Sequence, residues 1–287
     1  MTGDDDRELL RRMAEAADEL TRPAWRTPDL EVEYKDDGSP VTPVDRAVEE
    51  ALLALVSDAG HADGFLGEEV GAHPGSSGRT WVVDGIDGTG NFVAGRPNWS
   101  TLIALVVDGV PVVGAATSPA LGRRWSTSAS GVVLEERPTP TDDGAGAGAS
   151  GDATGGRLEV TATLELSVSS TDELDGARIA VWPPDVEAVQ RLGEGYPALF
   201  QLVGTPRSSS QLVGEKLSHG AIPVVDGRLD AMVAFSGGAW DHAGPAALVR
   251  AAGGRFTAID GSPALDTRTG VYSNGRIHDR LLDLLHP

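Results

Sequence analysis

Residues 81–92 read WVVDGIDGTGNF and place two aspartates, Asp84 and Asp87, between a short apolar run and a Gly-Thr-Gly segment. A strand that merely ends in a turn needs one Asp or Asn with a glycine. Two carboxylates beside the amides of Gly88, Thr89 and Gly90 could instead hold a divalent cation and a phosphate together. Mg²⁺ takes oxygen ligands and commonly binds through a few carboxylates plus substrate phosphate, and the first amides of a helix lack partners in the preceding turn. Taken alone the segment also fits a bland reading, in which Asp84 ends a strand and Asp87 caps a helix.

Other carboxylates extend the pattern. Glu68 and Glu69 follow the apolar pair Phe65-Leu66, where a second strand could end on the same edge as Asp84. Asp241 lies next to a tryptophan at the start of a helix, where an N-terminal cap is the ordinary role. Asp45 closes the pattern Thr42-Pro-Val-Asp45, a capping box at a helix start. No Cys, His or Ser stands in a comparable nucleophile motif. His61, His73, His242 and His278 sit in polar or loop contexts and are assigned no ligand role, and Trp81, Trp99 and Trp125 read as core or interface residues rather than a stacking platform.

The elements that must position these side chains follow from periodicity. Leu9, Leu10, Met13, Ala16, Ala17 and Leu20 form an apolar stripe at helical spacing within 5–21. A second helix starts at Thr42-Pro43, carries Val48, Leu52, Leu55 and Val56 on one face, and stops at Gly60. Residues 79–84 read as a buried strand, and 98–119 as two strands joined by the Asp108-Gly109 hairpin turn. Strands are expected at 123–128, 131–135, 158–168 and 177–182, and a polar helix near 185–193. The tail reads helix, Gly253-Gly254 stop, strand, turn, strand and short helix. Residues 137–157 hold no large apolar side chain and read as a flexible linker. The chain thus divides into an N-terminal α+β half (1–136), the linker, and a C-terminal α/β half (158–287).

Composition limits the partners. The 43 acidic residues against 23 basic ones give a formal charge of -20, which repels polyanions and argues against nucleic acid or an anionic membrane surface. An anionic substrate would need recruited cations. The absence of cysteine fits a reducing compartment, no apolar run reaches the roughly 20 residues of a membrane span, and the acidic start is unlike a signal peptide. A cytoplasmic location is expected.

With these segments in order, the chain resembles the inositol monophosphatase superfamily of Mg²⁺-dependent phosphatases. The resemblance runs through DDGSPVTPVDRAVEE, GEEVG, WVVDGIDGTGNFVAG, AWDHAGPAALVRAAGG and YSNGRIHDRLL, and within the superfamily the segments WSTLIALVVDGVPVVGAATSPALGRRW and GRFTAIDGSP look most like the histidinol-phosphate phosphatases of high-GC Gram-positive bacteria. It implies an αβαβα layered sandwich of the inositol monophosphatase/fructose-1,6-bisphosphatase type, a homodimer, and about two to three Mg²⁺ ions per subunit. By the same resemblance Glu68, Asp84 and the Ile86 carbonyl hold one ion, Asp84, Asp87 and Asp241 a second, and Glu68 shares a third. Asp45 and Thr89 activate the attacking water, Gly88 and Thr89 amides cradle the phosphate, and Glu69 stands behind the ligands. The implied reaction is hydrolysis of a small phosphorylated alcohol, histidinol phosphate first, then myo-inositol phosphate or a sugar phosphate. A phosphatase of a specialised biosynthetic pathway and a non-catalytic binding descendant are the alternatives.

The chain departs from the family at four points, one of them the unusually long linker at 137–157. Gly85 replaces a usual proline, which is expected to loosen the loop between two ligands. Ala234, seven residues before Asp241, replaces a glutamate that contacts substrate hydroxyls in inositol-type members. The segment EKLSHG replaces the usual pocket motif, which makes Lys216, Ser218 and His219, with Asp87 and Ala234, the candidates for substrate specificity.

Overall fold

A computed structural model describes residues 3–136, 160–183 and 217–285, together with Leu199, Gln201 and Gln211. The expected linker at 137–157, the polar helix near 185–193 and Lys216 lie outside the described residues.

Helices α1 (Gly3–Ala24) and α2 (Pro43–Asp58) form as their stripes require. Thr42 caps α2 in a complete capping box with Asp45, and Pro43 takes the first position, where its missing N–H costs nothing. Both helices lie against an eight-stranded sheet. After a separate short hairpin of β1 (Glu33–Tyr34) and β2 (Pro40–Val41), its strands are β3 (Gly64–Gly67), β4 (Gly71–His73), β5 (Arg79–Asp87), β6 (Ser100–Val107), β7 (Val110–Ser118), β8 (Arg123–Thr127), β9 (Val132–Glu136) and β10 (Ala162–Leu166), in the order β10-β9-β8-β7-β6-β5-β3-β4. Asp108 and Gly109 both have positive φ, as a tight β6–β7 hairpin needs.

Strand β10 corrects one boundary drawn from the sequence. The sequence places 158–168 in the C-terminal half, but β10 pairs antiparallel with β9, Leu164 opposite Leu134, and so extends the first sheet. A composition shift marks a break in the chain, and a strand after such a break can still return to the sheet it left.

Period-two alternation along β5 and β6 fixes the layers. Trp81, Val83, Ile103 and Leu105 pack with Leu9, Met13, Val48 and Leu52 of the first two helices. Val82, Leu102 and Ala104 face the other way and pack with Ala243, Ala246 and Val249 of a central helix, Ala239–Ala251, which follows α3 (Thr89–Val93) and α4 (Ile222–Val225) and is therefore α5. Beyond α5 lies a second sheet of β11 (Ile179–Trp182), β12 (Ala231–Ala234), β13 (Arg255–Thr257) and β14 (Gly270–Ser273), ordered β11-β12-β14-β13. Met232, Phe256 and Tyr272 face α5, and Val181, Val233 and Val271 pack with Leu281 and Leu285 of α6 (His278–Leu285). The order helix, sheet, helix, sheet, helix is the expected αβαβα sandwich. Among the described residues no helix is long and apolar enough to cross a membrane.

Candidate metal centre and active site

The two aspartates of the opening segment could not share a face in a regular strand, because they stand three positions apart and side chains alternate. Strand β5 resolves this with a bulge. Asp84 pairs with Leu102 and Asp87 with Ser100, so three steps on β5 oppose two on β6. One extra residue re-aims the strand end. Asp84, Asp87 and Asp241 consequently converge, each offering a carboxylate oxygen within 4.8 Å of the others. Asp241 comes from the first turn of α5, where it also accepts the Gly238 amide at 2.5 Å and so closes the helix start. The capping role and the convergence coexist.

Electrostatics mark the cluster. Burial raises the Asp84 carboxyl well above the usual range, and the charges of Glu68, Asp241 and Asp87 raise it further. Asp87 is raised in the same way, by burial and then by Asp241 and Glu68. Burial also raises Asp241. Burial pushes Glu68 up to about 7 against the opposing pull of Lys35, with Asp241 and Glu69 adding to the rise. Three converging aspartates with Glu68 close enough to act on them, each carboxyl raised chiefly by burial, suit a divalent cation of oxygen preference.

Glu68 itself is held by Lys35, whose Nζ donates to Oε1 at 2.7 Å and also pairs with Glu69. Glu69 thus reaches Glu68 through the lysine. Asp45 spends one oxygen on the α2 cap, accepting the Thr42 amide at 3.0 Å and hydroxyl at 2.6 Å, and turns the other toward the Thr89 hydroxyl at 2.9 Å. Burial raises the Asp45 carboxyl, opposed by these hydroxyl contacts. Thr89 Oγ1 lies equally close to the Ile86 carbonyl, 2.9 Å, so one proton has two acceptors. Gly88, at φ 82°, turns the chain from β5 into α3, with Thr89 the first helical residue.

Two side chains in this framework were missed in the sequence. Lys35 lies in a short polar hairpin with no pattern to single it out. Glu49 is wholly buried in α2, one turn beyond Asp45, and its carboxylate accepts the amides of Glu68, Glu69, Val70 and Gly85. The stripe Asp45, Val48, Glu49, Leu52, Val56 is the signal that could have found it, because two carboxylates stand on an otherwise apolar face.

The expectation for Gly85 is corrected. It is buried, its N–H points to Glu49, and its carbonyl accepts the Thr101 hydroxyl at 2.7 Å. A Cβ there would meet the Asp45 carbonyl oxygen at 2.6 Å. Glycine serves close approach of α2, so the loop is held rather than loosened. His242 and His278, placed by the sequence in polar contexts, are also buried, with His242 Nδ1 2.7 Å from the Tyr272 hydroxyl and His278 Nδ1 2.8 Å from Ser273 Oγ. Trp81, Trp99 and Trp125 are core residues as expected.

A cavity of about 490 Å³ opens beside the cluster, lined in part by Asp87, Gly88 and Asp241 and in part by Ser218, His219 and Ala234. Arg96, Asn98 and Trp182, none of them singled out from sequence, also line it.

A sandwich of this topology with an acidic strand-end cluster defines a class, and the comparisons agree on which. The model of the Inositol monophosphatase family matches residues 5–287. The structure of an inositol monophosphatase from Zymomonas mobilis superposes with a TM-score of 0.70 over 100% of both chains at 25% identity. The chain belongs to the inositol monophosphatase family and is a phosphoric monoester hydrolase. Among curated relatives, the Histidinol-phosphatase of Mycobacterium tuberculosis is 38% identical over 98% of each chain. A Streptomyces griseus protein named Glucose-1-phosphate thymidylyltransferase is 34% identical over 98% of this chain and 96% of its own.

Proposed function

We propose that this chain hydrolyses the phosphomonoester of a small polar alcohol with Mg²⁺, and that histidinol phosphate is the substrate. The observation that carries the reaction is the convergence of Asp84, Asp87 and Asp241 beside a cavity lined by Asp87 and Asp241. Asp84, Asp87, Asp241, Glu68 and the Ile86 carbonyl would hold the ions, two to three of them by family resemblance. Bound there, Mg²⁺ supplies charge neutralisation of the phosphate, acidification of water and stabilisation of the leaving oxygen.

The protein's own groups do the rest. With its proton directed to Asp45, the Thr89 hydroxyl presents a lone pair that takes a hydrogen bond from the attacking water and orients it. Asp45, raised by burial, is the basic end of that relay. By the family resemblance the amides of Gly88 and Thr89, at the start of α3, would donate to the phosphate. Ser218 Oγ and His242 Nε2 are buried without a hydrogen-bond partner among the described residues, and both residues line the cavity. They suit polar groups on the alcohol. Burial, with the nearby His242, lowers His219 to about 3, and burial lowers His242 to about 4, so neither repels a cationic imidazole or amine at neutral pH. Ala234 leaves no carboxylate for inositol hydroxyls at that position, which favours histidinol phosphate over myo-inositol phosphate.

A sugar phosphate is the second reading, motivated by the S. griseus relative and compatible with a specialised biosynthetic pathway. Phosphate release from histidinol phosphate, inositol phosphates, sugar phosphates and nucleotides with Mg²⁺ decides between them. Histidinol phosphate should give the highest kcat/KM. No release from any member by folded protein would sink the reading and favour a non-catalytic descendant. A cytoplasmic homodimer that binds neither nucleic acid nor membrane completes the proposal.

A further inference from the structure

Helix α2 carries two carboxylates one turn apart, and only Asp45 has a place in the reaction. We propose that Glu49 is a positioning residue for the metal centre, a buried tie that sets the distance between the two backbone segments bearing Glu68 and Asp84. This rests on the reading that the acidic cluster holds divalent cations.

The geometry is specific. Oε1 of Glu49 accepts the Glu68 amide at 3.0 Å and the Gly85 amide at 3.3 Å, so a single oxygen joins the end of β3 to the bulge of β5. Oε2 accepts the amides of Glu69 at 2.8 Å and Val70 at 2.9 Å, which closes the turn after β3 around the carboxylate. Glu68 and Asp84 each adjoin an amide so held. Backbone contacts determine where those two side chains start, and a carboxylate with both oxygens doubly used leaves little play.

Two glycines make room for the tie. A Cβ on Gly67 would lie 2.2 Å from Glu49 Oε2, and one on Gly85 2.6 Å from the Asp45 carbonyl oxygen. Glycine at 85 is therefore matched to the close pass of α2, and its N–H to Glu49. A proline there would remove the donated N–H and collide with α2, so introducing the residue usual in the family should weaken the site.

Glu49→Gln tests the tie. It keeps the shape but sets an NH₂ group against two N–H donors. Calorimetric titration should show the Mg²⁺ dissociation constant raised about tenfold to a hundredfold, the range typical when a group that orients metal ligands is removed. At saturating Mg²⁺, kcat and the substrate KM should stay near wild type, and Gly85→Pro should shift Mg²⁺ affinity in the same direction. An affinity within twofold of wild type overturns the proposal, as does an equal loss of kcat at saturating metal, which would signal general disorder of the site. If wild type binds Mg²⁺ and only the variant fails to differ, the phosphatase reading survives alone; if wild type takes up no Mg²⁺, both fall. Hydrogen exchange on the wild type needs no variant. Amides of Glu68, Glu69 and Val70 should exchange slowly although they lie in a turn, and fast exchange there overturns the tie even where Glu49→Gln does not fold.

Discussion

Thr89 is the residue on which the proposed chemistry turns, because its hydroxyl touches both Asp45 and the carbonyl of Ile86 at 2.9 Å. Removing the hydroxyl leaves the carboxylate cluster intact and takes away only the group that orients water. Thr89→Ala should therefore lower kcat by about 10²- to 10⁴-fold, the usual weight of a positioned proton-transfer group, with Mg²⁺ affinity little changed. Thr89→Ser should restore most of the rate. A Ser variant as inactive as the Ala variant would mean that the threonine methyl, not the proton relay, matters. This residue was legible in sequence only through its neighbours. Asp84, Asp87 and Asp241 could be found because acidic side chains after apolar strands have few reasons to recur together. Glu49 left only a faint trace, its place on the apolar stripe of α2, since a glutamate inside an amphipathic helix ordinarily faces water and its burial depends on backbone amides brought from residues 68–70 and 85. Gly85 was misread for the same reason: a glycine signals freedom locally and close approach only when the neighbour is known.

Elements with strong local signals formed where the sequence placed them. The Thr42-Pro43 start of α2 and the Asp108-Gly109 hairpin are set by side chains within a few residues. The destination of β10 and the bulge in β5 are not, because each depends on a partner strand. The second sheet shows the same dependence on distant contacts in its Asp230, which enters β12 and accepts the Arg178 amide at 2.7 Å, the Arg178 guanidinium at 3.0 and 3.1 Å and the Ser169 hydroxyl at 2.6 Å. Burial opposes ionisation of Asp230, but the bonds from Arg178 and Ser169 outweigh it and lower the carboxyl to about 2. Its folded value lies below the ordinary 3.8, so its stabilisation is present above that value and lost as pH falls toward 2. Asp230→Asn should cost about 1–2 kcal/mol at pH 7, discounted because the Arg178 side chain is half exposed. Urea unfolding of wild type and variant between pH 7 and 2 checks this, and a difference that persists undiminished to pH 2 would refute the ionised tie.

At the scale of the whole molecule, the charge of -20 and the buried carboxylate cluster act in the same direction. In the metal-free protein Glu68 is raised to about 7, and Asp84, Asp87 and Asp241 are also raised. The folded state thus keeps protons that the unfolded chain has released, and stability contributed by these groups falls as pH rises from the ordinary carboxylate range through about 7. Mg²⁺ replaces those protons as the neutralising charge. At pH 8 it enters a site already largely free of the Glu68 proton, whereas at pH 5.5 it must displace protons and its apparent affinity drops. A ligand at a hundred times its dissociation constant stabilises by about 2.7 kcal/mol, a shift of roughly 4–5 °C for a chain of this length. Thermal melts should therefore show a larger Mg²⁺-induced rise at pH 8 than at pH 5.5, at ionic strength matched with NaCl to remove general screening of the net charge. Asp84→Asn should abolish most of the difference. Equal Mg²⁺ shifts at the two pH values, or a shift that survives in Asp84→Asn, would place the cation elsewhere on this acidic surface and remove the cluster from the mechanism.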